Sequence, residues 1–209
     1  MSRRRTHQKQ TPPRALADPD ATSDTLRSTC EEVLTLGDRQ ERLIEALLTL
    51  ARSERGIERW EPFDLSEIAE KVVLSRGHET NGRGIRIDTN LSEAPATGDP
   101  SLVESLMVNL VDNAVRHNVV DGRVEVSTTT TTGRATVSVG NTGPIIPPEE
   151  IDRLFQPFQQ LGNELIRQGE GHGIGLAVVN AIVSTHGATL TASARTAGGL
   201  DIVVTFPPR

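Results

Sequence analysis

Between Glu104 and Asn118 the sequence places two carboxamides, Asn109 and Asn113, four residues apart in a segment whose apolar residues recur at helical spacing. Four residues is one helical turn, so both amides share a face. Leu102, Leu106, Leu110 and Ala114 form a second stripe that a sheet could cover, while Asn109, Asn113 and Arg116 make a separate polar stripe. A helix built this way must lie on another layer of structure, with its carboxamides left over at the edge. The polar stripe suits a metal-bound phosphate and equally suits a plain solvated face, and this segment alone does not decide between them.

Three further signals follow in order: Asn141-Thr142-Gly143-Pro144 at the end of a strand-like run, Leu154-Phe155-Gln156-Pro157-Phe158, and the run from Gly169 to Leu176 opening an apolar helix. In the last, Gly171, Gly173 and Gly175 let backbone amides approach an anion, and the helix from Ile174 turns its positive end toward it. A lone glycine-rich loop is often just a strand-to-helix turn. Its position behind the asparagine helix favours a nucleotide site.

Residues 1–22 are polar and broken by Pro12, Pro13 and Pro19, which predicts a disordered or irregular tail. From Ser23, the expected N-cap, Leu26, Cys30, Val33, Leu36, Leu43, Ile44, Leu47, Leu48 and Leu50 recur at threes, fours and sevens among charges. One long amphipathic helix over 23–55, stopped by Gly56, cannot bury such a stripe and needs a partner. Residues 57–209 then read as one domain. It is entered through a linker, Trp60 to Leu65, and a helix from about Leu65 to Ser75. Strand patterns follow at Ile85–Ile87, Ala96–Asp99, Val124–Val126, Ala135–Val139, Thr189–Ala194 and Leu200–Phe206, with turns at Thr132-Gly133 and Gly198-Gly199. The expected fold is α+β: a two-layer sandwich of a mixed, roughly five-stranded sheet covered by about three helices.

A 35% hydrophobic share of 209 residues supplies a real core. No apolar run reaches the roughly 18 residues of a membrane span, and no secretory signal opens the chain. The single cysteine, Cys30, fits a reducing compartment, so a cytoplasmic location is expected. A formal charge of −6, with only Arg3, Arg4 and Arg5 clustered, argues against a nucleic-acid binder.

In their order and spacing these motifs resemble the catalytic, ATP-binding domain of two-component sensor histidine kinases, of the ATPase superfamily shared with gyrase and the heat-shock chaperones. The resemblance covers roughly residues 61–209. It implies ATP and Mg²⁺ as cofactors and transfer of the γ-phosphoryl group to a protein histidine. It makes Asn113 the metal ligand, with Asn109 and Arg116 beside it in the catalytic set. The nucleotide contacts it implies are Asn109, Asn113, Arg116, His117, Asn141, Gly143, Ile145, Gly171, His172, Gly173, Ile174, Gly175 and Leu176.

Gyrase-like relatives carry a carboxylate that activates water one turn before the metal ligand. Here Asn109 stands there, and an amide cannot act as a general base, so transfer rather than hydrolysis is expected. Asn141 replaces the aspartate that usually accepts the adenine amino proton, and Ile145 replaces the second glycine of that motif. The Asn141 carbonyl can still accept this bond. Phe155 and Phe158 either anchor a lid over 159–172 or simply pack in the core.

The phosphoacceptor box of such kinases is absent, and His7 lacks an adjacent acid. The helix 23–55 resembles the second helix of their dimerisation hairpin. The expectation is a truncated or degenerate kinase acting in trans on an intact histidine kinase, with a response regulator as a further partner and a homodimer through helix 23–55 as an option. A catalytically silent module that pairs with an intact kinase and an anti-sigma-type serine kinase are the alternatives; the long helix counts against the last.

Overall fold

The computed structural model describes residues 22–76, 84–157 and 173–208. Contacts divide the chain into two units, Met1–Ile44 and Glu45–Arg209. A long helix α1, Ser23–Glu54, begins in the former and ends in the latter. Its cap is Thr22 rather than Ser23: the Thr22 hydroxyl accepts from Thr25 N at 3.2 Å, and the Thr22 carbonyl from Leu26 N at 3.0 Å. Both residues are good caps, and sequence alone does not separate neighbours of that type. Gly56 ends the helix with φ 79°, as expected of a left-handed stop. The apolar stripe is present and exposed at Leu26, Val33, Leu34, Leu36 and Ile44 in the first unit and at Leu47 and Leu48 in the second.

In the second unit, Glu61–Asp64 is a strand, β1, where the sequence suggested a linker; it pairs antiparallel with β3, Pro95–Gly98. Four residues containing a proline carry no alternation signal, and the pairing itself makes the strand. Asp64 then caps α2, Leu65–Arg76: its Oδ1 accepts from Ser66 N (2.8 Å), Ser66 Oγ (2.7 Å) and Ala94 N (3.1 Å), which ties the helix start to β3.

The main sheet contains β2 (Arg86–Leu91), β4 (Arg123–Thr131), β5 (Arg134–Asn141), β6 (Thr189–Ala194) and β7 (Leu200–Thr205). Its order is β2-β4-β5-β7-β6, with β2 and β4 parallel and the remaining pairs antiparallel. Period-two alternation sends Val124, Val126, Val137, Val139, Ile202 and Val204 inward. On that face lie α2, α3 (Pro100–Arg116) and α4 (Gly175–Thr185). The architecture is therefore the mixed-sheet, two-layer α+β sandwich that the sequence implied. β4 and β5 meet at Thr132 (φ 51°) and Gly133 (φ 73°), the two positive φ values of a type I′ turn.

α3 carries the fold's centre. Asp99 caps it, accepting from Ser101 N at 2.9 Å and Leu102 N at 3.2 Å, and Pro100 occupies the first turn. It buries Leu102, Val103, Leu106, Met107, Leu110, Val111 and Ala114, the six larger side chains contributing about 1.5–3 kcal/mol each before chain entropy is subtracted. The apolar and polar stripes read from the sequence lie as expected: the four apolar positions are buried, and Asn109, Asn113 and Arg116 are half-buried. Among the described residues, no helix is long and apolar enough to cross a membrane.

Candidate nucleotide site

Three of the motif segments converge. Asn109 donates from Nδ2 to Ser105 O one turn back, at 2.8 Å, which fixes its amide on the helix surface. Its Oδ1 points at the start of α4: a Cβ added to Gly175 would lie 3.0 Å from that oxygen, so the close approach favours glycine. One turn on, the Asn113 carboxamide makes no hydrogen bond to another described residue, whereas Arg116 and His117 both have partners.

Among the described residues, no side chain caps the start of α4. Its first N–H groups are donors at the positive end of a helix dipole, next to Asn109. Ile174 and Leu176 turn their side chains into the core, at 4% and 7% exposure, so what they offer a ligand is backbone. Gly173 has φ 66° and leads into this turn. Gly171, His172, Phe158 and the expected lid over 159–172 lie outside the described residues.

The third segment is the loop after β5. Asn141 is buried, at 5% exposure, and its Nδ2 donates to Thr142 O at 2.7 Å, which leaves the amide oxygen as the remaining acceptor. A Cβ on Gly143 would fall 2.8 Å from the His117 carbonyl, so this glycine lets the loop lie directly on the end of α3. Ile145, by contrast, is 77% exposed.

Sequence reasoning missed what holds this loop. Asn118, at 6% exposure, accepts on Oδ1 from Thr142 Oγ1 (2.6 Å) and Val119 N (2.9 Å). It donates from Nδ2 to Ala114 O (3.2 Å) and Arg123 O (3.0 Å). One side chain thus joins the end of α3, the start of β4 and the loop after β5. On the far side, Gly199 N donates to Pro144 O at 2.9 Å, and a Cβ there would lie 1.8 Å from Asn141 O. The glycine pair read as a turn signal is also the contact surface for the loop.

A cleft of about 370 Å³ is bounded by Ile151, Asp152, Asn180, Val183, Leu190 and, from the motif segments, Phe155; Asn109, Asn113, Asn141, Gly173 and Gly175 are not among its lining residues. Half-buried Phe155 lines that cleft, which favours the packing role over a purely lid-bound one. Among the described residues, no three His, Cys, Asp or Glu side chains converge as a ready-made metal centre. Magnesium keeps several waters and is often held by one or two protein oxygens with substrate phosphates, so amide oxygens at Asn109 and Asn113 are adequate donors.

The family described as histidine kinase-, DNA gyrase B-, and HSP90-like ATPase matches residues 98–209, more than half of the chain. The chain belongs to this ATPase family. Within it, the sensor protein CutS of Streptomyces coelicolor is 37% identical over 193 residues, 92% of this chain and 46% of CutS. The chain thus spans less than half the length of that relative. Among solved structures, the mycobacterial sensor histidine kinase MprB superposes with a TM-score of 0.63 at 26% identity, covering 72% of this chain and 99% of that one. The Acinetobacter baumannii histidine kinase AdeS reaches 0.72 over 95% of this chain and 92% of its own, and at 23% identity it speaks for the fold alone.

Proposed function

We propose that this chain is the ATP-binding catalytic core of a sensor histidine kinase, transferring the γ-phosphoryl group of Mg²⁺-bound ATP to a protein histidine supplied in trans, in the cytoplasm. The reading rests chiefly on the juxtaposition of Asn109 with the N-terminus of α4, beside an Asn113 carboxamide without a described partner. In that arrangement the Asn113 oxygen, with Asn109, holds the metal, which draws charge from the phosphate oxygens when bound. The α4 amides and Gly173 cradle the phosphates, and Arg116 and His117 lie further along the same stripe. His172 and Gly171 complete the cradle in this proposal. The amide oxygen of Asn141 accepts from the adenine amino group, with Gly143 and Ile145 in the same loop.

Neither Asn109 nor Asn113 can remove a proton. Asn109 and Asn113 therefore bind, orient and screen charge, and the attacking imidazole nitrogen comes from the partner protein. Transfer forms a nitrogen–phosphorus bond, breaks the bond between the γ-phosphorus and its bridging oxygen, and releases ADP. A response regulator would then take the phosphoryl group from the partner.

A second reading, a silent module that pairs with an intact kinase, draws on the exposed stripe of α1, which a partner helix could cover. The test is incubation with γ-labelled ATP, Mg²⁺ and an intact histidine kinase whose own ATP site is disabled. Acid-labile label on the partner supports the kinase. ATP binding with stable pairing and no label supports the silent module.

A further inference from the structure

We infer that His186 is a positioning residue for the nucleotide site: its imidazole pins the N-terminus of α3 to the C-terminal turn of α4 and thereby sets the spacing of Asn109 and Gly175 at the opposite end of the same helix pair. The inference rests on the ATP-binding reading of that site.

The ring is 1% exposed, and both nitrogens are used. Nδ1 lies 2.8 Å from Ile182 O, so it carries the proton and donates. Nε2, bare, accepts from Asp99 N at 3.1 Å, the backbone of the residue that caps α3. One tautomer of a neutral imidazole satisfies both bonds. Trp60 and Phe206 meet the ring edge-on, with centroids at 6.1 Å and 5.7 Å. A Cβ on Gly98 would fall 2.3 Å from Cδ2, so β3 is bare where the ring passes.

Asp99 meets His186 at one end of the pair, and Asn109 meets Gly175 at the other, so the helices run antiparallel. The intervals 99–109 and 175–186 correspond to about 15 Å and about 16.5 Å of helix, which match. A slide or rotation released at the pin therefore appears as a changed gap between Asn109 and the α4 amides. Thr185 Oγ1 also lies 2.9 Å from Ser53 O, so the last turn of α1 touches α4 beside the pin.

Burial pushes the His186 pKa below its ordinary value, against the hydrogen bond to Ile182 O and the Asp99 charge. Among the described residues, the charge that bears on the ring is that of Asp99, while Trp60 and Phe206 pack against it edge-on.

The test uses the full chain with His186→Phe, which keeps a ring but loses both polar bonds, and His186→Gln, whose side-chain oxygen can still accept from Asp99 N. Without nucleotide, hydrogen exchange is read at Asp99 and Val103 near the pin and at Val178, whose N–H bonds Ile174 O at 2.9 Å, at the far end. The expected result is about tenfold faster exchange at Val178 in His186→Phe, recovering to within about threefold of wild type in His186→Gln, with Mg-ATP affinity following the same order. If the phenylalanine variant does not fold, His186→Asn, which loses only the Asp99 bond, takes its place with the same expectation. Unchanged exchange at Val178 alongside disturbed Asp99 and Val103, or no recovery with glutamine, would overturn the inference. A wild-type chain that binds no ATP counts against the function reading, while the exchange result still decides the role of His186.

Discussion

Replacing Asn118 with alanine removes four hydrogen bonds at once, two accepted and two donated, at 2.6–3.2 Å. At about 1 kcal/mol net for each bond the ceiling is about 4 kcal/mol. Val119 is exposed and its N–H can turn to water, whereas the Ala114 and Arg123 carbonyls face a side chain that is itself buried, so about 2–3 kcal/mol is expected. That is a large part of the roughly 5–15 kcal/mol that holds an ordinary domain together. Urea unfolding should show a lower midpoint at unchanged slope. Thr142→Val, which removes one partner of this network, should cost about 1 kcal/mol, and the double mutant should cost less than the sum, with a coupling of about 1 kcal/mol. An Asn118→Ala loss below about 0.5 kcal/mol, or strict additivity with Thr142→Val, would refute the idea that this side chain fastens the loop after β5.

Gly199→Ala puts a Cβ 1.8 Å from the Asn141 carbonyl at a backbone φ of 106°, so the loop must move; a loss of at least about 2 kcal/mol in urea unfolding and weaker ATP binding are expected. Thr132→Asn should stabilise the chain by about 0.5–1 kcal/mol, seen as a higher melting temperature, because a β-branched residue at φ 51° is replaced by one that tolerates the left-handed region. For His186, burial lowers the folded pKa below the unfolded value, so the unfolded chain binds the proton more readily. Stability is complete above about pH 6.5 and falls as pH drops from there through the folded pKa. Urea midpoints measured from pH 7.5 to 5 should decline less in His186→Gln than in wild type.

Much of this was legible because it is written in local periodicity. The alternation in 124–139 and 200–206 and the fourfold spacing in 102–114 each depend on which face meets the core, and the core is where those residues went, whereas the alternating residues of β6 are only half-buried. The pairing of β1 with β3 was hidden because its signal lies 33 and 31 positions away, in the register Phe63↔Ala96 and Asp64↔Pro95, and not within Glu61–Asp64. Within the site, motif order singled out both the asparagine helix and the glycine run, but the approach of Asn109 to Gly175 is seen only in the fold. It did not single out Asn118 and His186, since a buried Asn or His has no spacing that distinguishes it from a surface one. Their roles become visible only when Thr142, Arg123 and Asp99 are brought beside them.

The most direct test of the central claim is calorimetric titration of the purified chain with ATP in the presence and absence of Mg²⁺, alongside Asn113→Ala. Saturable binding that tightens with Mg²⁺ in the wild type and loses that Mg²⁺ dependence in the variant is the predicted result. No ATP binding by the wild-type chain, or a Mg²⁺ effect that survives Asn113→Ala unchanged, would contradict it.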